Sequence, residues 1–129
     1  MINTTELRIG NIIKHAGTGS LGVVIEICPF GVKCKFSNEL TYIDAEEYEP
    51  IAVTEEWLKN FGFIEEPENE FVVRFNQLVF IIHKNLITGE FICMSVLHYS
   101  FRIKKVHQLQ NLFFALTGKE LSLVKDFSL

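Results

Sequence analysis

The sequence lacks any apolar run near the roughly 18 residues of a membrane-spanning helix, and its start, MINTTELRIG, lacks the basic and apolar regions of a secretory signal. Membrane insertion is therefore not expected, and a cytoplasmic location is. Cysteine is scarce. Cys28, Cys34 and Cys93 are odd in number and form no CxxC pair, which excludes a disulfide framework and predicts reduced, mostly buried thiols. The four histidines, His15, His83, His98 and His107, are dispersed without HxxxH spacing, so no metal or other cofactor is expected. His83 beside His98 on neighbouring strands is the nearest approach to a metal pair. The cysteines sit inside strand patterns and no histidine is placed by sequence to activate them, so the chain is read as non-enzymatic. Repeats and low-complexity stretches are also missing.

What is present is core-forming material. With 129 residues, 48% of them hydrophobic, and twelve phenylalanines, the chain suits one compact domain or one domain with a small appended subdomain. The first fifty residues read as short strands joined by glycine turns: Asn11 to His15, Leu21 to Cys28, Gly31 to Phe36 and Leu40 to Ile43. Val24, Glu26 and Cys28 alternate with Val23, Ile25 and Ile27, so at least one side of that strand is buried. Pro50 marks the junction between residues 1–50, a small curled sheet or barrel, and residues 51–129, an α+β subdomain. Thr54 suits an N-cap, with Glu55 and Glu56 in the first turn, Trp57, Leu58 and Phe61 on one face, and Gly62 at the stop.

An acidic linker from Glu65 to Glu70 is then expected to lead into a four-stranded antiparallel meander: Phe71 to Phe75, Leu78 to Lys84, Glu90 to Leu97 and Tyr99 to Lys104. Phe71, Val73 and Phe75 share a face, as do Tyr99, Phe101 and Ile103, so the outer strands read as one-sided, with Arg74, Arg102 and Lys104 turned to water. Leu78 to Ile82 is apolar on both faces and belongs at the centre. The overall expectation is α+β: curled sheet, helix, meander, C-terminal helix.

That last helix spans Val106 to Gly118. Val106, Leu109, Leu112, Phe113 and Leu116 fall within roughly 120° of arc, which predicts the core stripe, and Gly118 supplies the left-handed stop. His107, Gln110, Asn111 and Phe114 lie on the flank. The tail, Leu121, Leu123, Val124 and Phe127, is expected to fold back over Phe114.

Residues Gly17 to Gly22 spell GxGxxG, but the string is followed by the strand pattern VVIEIC where a dinucleotide site needs a helix. It reads as a hairpin turn. The net charge of −4 conceals an asymmetry: Asp44 to Glu70 carries ten acids against Lys59 alone, leaving the remainder at +5. Phe91 to Gly118 contains no acid, and Arg102, Lys104 and Lys105 cluster before the helix. The candidate interaction surface is therefore Arg74, Arg102, Lys104, Lys105, His107, Gln110, Asn111 and Phe114. Its basic members could alternatively form a nucleic-acid strip, but the strand alternation leaves few exposed rings to stack on bases, so this partner is not favoured.

Three ordered words, LRIGN (Leu7 to Asn11), EPIAVTEEWLKNFGF (Glu49 to Phe63) and VHQLQNLFFALTGKEL (Val106 to Leu121), resemble a family of small uncharacterised proteins from bacteria of the Bacteroides group, their phages and mobile elements. The resemblance implies a bacterial cytoplasmic accessory protein of phage or mobile-element type and carries over no catalytic or binding residue. Taken with the polarised charge, it leads to the expectation of a protein-binding or self-associating chain, whose partner is another protein or a second copy meeting acidic 44–70 with basic 102–107.

Overall fold

The computed structural model describes residues 6–36, 39–44, 46–67, 69–75, 78–96 and 99–124. It is α+β and contains two compact units. The first comprises the described residues up to Ala52 together with Lys105–Asn111. The second comprises the described residues of 53–104 and 112–124.

The first unit is built on a curled five-stranded antiparallel half-barrel of β1 (Ile12–His15), β2 (Leu21–Cys28), β3 (Gly31–Phe36), β4 (Glu39–Asp44) and β5 (Tyr48–Glu49), in the order β4-β3-β2-β1-β5. The short β5 adds a fifth strand to the four expected, pairing Glu49 with Lys14 and Tyr48 with His15. Alternation places Val24, Val32, Cys34 and Ile43 on the concave side, where they pack with Leu7, Ile13 and Tyr48. Glycine is required at two close approaches. A Cβ on Gly31 would run into the Ile43 carbonyl oxygen across the β3–β4 pair, and one on Gly22 would run into the Phe36 ring.

The GxGxxG segment is the β1–β2 hairpin turn, as its context predicts. His15 N–H donates to Ser20 C=O at 2.8 Å and Gly19 N–H to His15 C=O at 2.8 Å, with Gly19 at φ 74°.

In the second unit, α1 (Glu55–Asn60) starts as its sequence predicts: Thr54 Oγ1 accepts the Trp57 N–H at 3.3 Å, and Gly62 follows the helix at φ 89°. The acidic stretch after it is not a linker. Ile64–Glu66 forms β6 and pairs with β7 (Glu70–Phe75), Ile64 opposite Val72 and Glu66 opposite Glu70. Pro67 and a left-handed Asn69 (φ 61°) lie between the two strands. Turn chemistry and one apolar cross-strand pair outweigh the like charges. The sheet therefore has five strands, not four, adding β8 (Leu78–Lys84), β9 (Phe91–Val96) and β10 (Tyr99–Ile103) in the order β10-β9-β8-β7-β6. β8 is central, as expected from its two apolar faces.

One face of this sheet carries Phe71, Phe80, Ile82, Phe91, Cys93 and Ile103, all buried. Phe80 meets Phe63 and Phe113 edge to face at 6.1 and 5.3 Å. β7 is not one-sided: Val72, on the opposite face from Phe71, is also 1% exposed, because the register sets it between Ile64 and Ile81. The side chains of Phe75, Tyr99 and Phe101 lie outside the described residues.

Helix α2 (Val106–Thr117) stops at Gly118, φ 70°, whose N–H donates to Phe114 C=O at 2.8 Å. At its start the Gln108 side chain accepts the Lys105 N–H at 3.1 Å, half of a capping box. The buried stripe differs from the expected one. Val106, Leu109 and Phe113 are buried, but Leu112 is only half-buried and Leu116 is 38% exposed, while His107 and Gln110 are buried at 2% each. Val124 N–H donates to Asn60 C=O at 2.7 Å, so the tail reaches the end of α1, with Leu121 buried. Phe127 is outside the described residues.

Candidate interaction surface

The residues expected to form one surface separate into a buried polar cluster and scattered exposed positions. His107, Gln110 and Asn111 belong to the cluster, and the partners of Gln110 and Asn111 come from residues 6–12 of the same unit. Gln110 acts as a substitute strand. Its side-chain oxygen accepts the Ile12 N–H at 2.9 Å and its side-chain nitrogen donates to Gly10 C=O at 3.0 Å, the two groups that a ladder neighbour would satisfy. Asn11, fully buried, accepts the Arg8 N–H at 2.7 Å and donates to Asn111 Oδ1 at 2.7 Å. Arg8 Nε donates to the same oxygen at 3.2 Å, and Asn111 Nδ2 donates to Glu6 C=O at 2.9 Å. Two of the three signature words thus meet in this cluster. Its role is to hold the first half of α2 to the start of β1.

His107 is the exception. Both ring nitrogens are buried and have no hydrogen-bond partner among the described residues, and Nε2 lies 3.9 Å from Glu6 Oε1. Burial holds the imidazole pKa below its usual 6.5, and Lys105 acts in the same direction against the opposing pull of Glu6. Since the folded chain binds fewer protons than the unfolded one in the interval just below pH 6.5, stability contributed here is full above that pH and falls as the solution is acidified. Urea unfolding at pH 7 and pH 5 is expected to show an acid loss that shrinks in His107→Gln; an equal loss in both proteins would refute the assignment.

The exposed positions do not make a basic strip. Arg74 is ion-paired to Glu66 at 2.9 Å and Arg102 to Glu90 at 3.3 Å. They stand on β7 and β10 with two strands between them, about 14 Å at the usual strand spacing. Lys104 is exposed and its C=O accepts the Val53 N–H at 3.0 Å. Lys105 is half-buried in the first unit, and Phe114, in the second, is 39% exposed.

Sequence reasoning missed a different surface, the second face of the β6–β10 sheet. Register places Ile64, Val72, Val79, Ile81, His83 and Ile92 together on it, with Glu66, Glu70, Arg74 and Arg102 among them. Ile64 and Val79 are 63% and 44% exposed. The edge strand β6 carries Glu65 and Glu66, and the opposite edge, β10, carries Arg102 followed by Lys104. The readable signal was the alternation Ile64, Glu66 and Val72, Arg74, obscured by the density of acids.

Burial pushes the Cys34 thiol up to about 12 and Cys93 is fully buried, so neither is an activated nucleophile. Among the described residues no three metal-binding side chains converge, and the pairing of His83 with His98 falls outside them because His98 is not described. No described helix is long and apolar enough to cross a membrane. Comparison of the chain with protein families, curated proteins and solved structures found no match.

Proposed function

We propose that this chain is a non-enzymatic accessory protein that self-associates through the outer face of the β6–β10 sheet. The observation that carries the reading is a sheet with two unequal faces. One is sealed by Phe63 and Phe113, and the other presents Ile64, Val79, Ile81 and Ile92 between an acidic and a basic edge. A two-fold axis in the interface and parallel to the strands lays the β6 edge of one copy over the β10 edge of the other. That arrangement brings the apolar residues of the two faces together without a second surface. The family resemblance supports the accessory role in a phage or mobile element, and the charge polarity supports a protein partner over nucleic acid.

The expected affinity follows from size. Five strands at about 4.8 Å spacing and about five residues at 3.3 Å give roughly 400 Å² per copy. The total is below the range of stable dimers, so association is weak, reversible and concentration-dependent. Sedimentation equilibrium is expected to show a dimer that grows with protein concentration and is abolished in Val79→Glu. A wild-type chain monomeric at millimolar concentration would overturn the proposal.

A further inference from the structure

The open end of the first unit's half-barrel holds a cleft of about 230 Å³ lined by His15, Thr18, Ser20, Phe36, Glu39 and Thr41. One wall is the β1–β2 turn, and it is internally braced. His15 Nδ1 accepts the backbone N–H of Gly17 at 3.1 Å and of Thr18 at 3.3 Å, and Thr18 Oγ1 accepts the Ser20 N–H at 3.2 Å. With Nδ1 used as an acceptor, the proton of the neutral ring lies on Nε2. The His15 and Phe36 rings meet at 6.0 Å and 77°, and the absence of a Cβ on Gly22 lets the Phe36 ring lie against β2. The other wall is β4, where Glu39 pairs in register with Phe36 and Thr41 with Cys34.

The electrostatics of this cleft are one-signed. Among the described residues Glu39 is its only carboxylate and has no ion-pair partner. Three hydroxyls add acceptor oxygens, and two rings add π faces and apolar contact. A single unpaired carboxylate, hydroxyl acceptors and aromatic walls in a volume that admits only about ten heavy atoms match one ligand chemistry, an organic cation on an apolar stem.

We propose that this cleft is a binding site for an ammonium or guanidinium group on an alkyl stem, supplied either by a lysine or arginine side chain of a polypeptide or by a free alkylamine. Glu39 provides the countercharge, Thr18, Ser20 and Thr41 accept the remaining N–H donors, and His15 and Phe36 flank the stem. The site is independent of the proposed association, which uses the other unit.

The test is an NMR titration of the full chain, ¹⁵N-labelled, with n-butylammonium, with a blocked Gly-Lys-Gly peptide and with the Gly-norleucine-Gly peptide that lacks the charge. Saturable millimolar shifts confined to the amides of residues 15–20 and 39–41 are expected with both cations and not with norleucine. Glu39→Gln, at an exposed edge position, is expected to keep the wild-type spectrum elsewhere and to weaken binding about tenfold. Tighter binding of the lysine peptide than of butylammonium identifies a polypeptide side chain as the source, and the reverse order identifies a free amine. Absence of saturable shifts with either cation, or equal binding of norleucine, overturns the proposal. Val79→Glu is expected to bind like the wild type, so failure of self-association and failure of cation binding are read separately.

Discussion

Gln110→Leu is expected to lower the unfolding free energy by about 3 kcal/mol, measured by urea denaturation at pH 7. Leucine nearly matches glutamine in volume, so packing loss is small and the cost is polar. Two hydrogen bonds to the backbone of about 1 kcal/mol each and a longer one from Asn11 Nδ2 are removed, and the Ile12 N–H and Gly10 C=O are left without that partner at a site where Gln110 itself is 2% exposed. The effect is expected to be coupled to Asn11. Asn11 Nδ2 donates directly to Gln110 Oε1 at 3.5 Å, so Asn11→Ala combined with Gln110→Leu is expected to cost less than the two single changes added. A Gln110→Leu protein within about 0.5 kcal/mol of wild type would mean that the clasp is incidental to stability.

Phe113→Ala is expected to be more damaging still, about 3–5 kcal/mol. Phe113 is 3% exposed in the second unit and stands edge to face with Phe80, which meets Phe63 in turn. Truncation removes the transfer energy of a buried ring, leaves a cavity against Phe80, and breaks an aromatic pair that adds about 1 kcal/mol beyond area alone. The midpoint of thermal unfolding is expected to fall by well over 10 °C, since 1 kcal/mol corresponds to about 4 °C for a chain of this size. The neighbouring Phe114→Ala, at 39% exposure, is expected to cost under about 1 kcal/mol. Reversal of that order would show that the helix docks by the flank that carries Phe114, against both its periodicity and its burial.

These two residues mark how far the sequence could be read. The end of α2 at Gly118, the cap at Thr54, the hairpin at Gly17–Gly22 and the central place of β8 were all legible, because each depends on local chemistry: a left-handed stop, a side-chain oxygen for a free N–H, a glycine turn, apolar residues on both faces. The hairpin inside the acidic stretch was not. Its determinants are Pro67, Asn69 and the pairing of Ile64 with Val72, an eight-residue separation that charge density masks.

The sequence alone determined the α+β class, the near-complete element order and the charge polarity, since these follow from periodicity and composition. Only the tertiary structure decided how far the buried side of α2 extends: Val106, Leu109 and Phe113 are inside as periodicity predicts, but so are His107 and Gln110. Helical periodicity counts apolar residues, and it had no means of knowing that Asn11, Gly10 and Ile12, a hundred residues away, offer polar partners that make Gln110 and Asn111 better buried than Leu116. The same limit applies to the cleft at the half-barrel mouth. Glu39 and His15 are unremarkable in sequence and become a site only because strand pairing sets β4 opposite a braced turn.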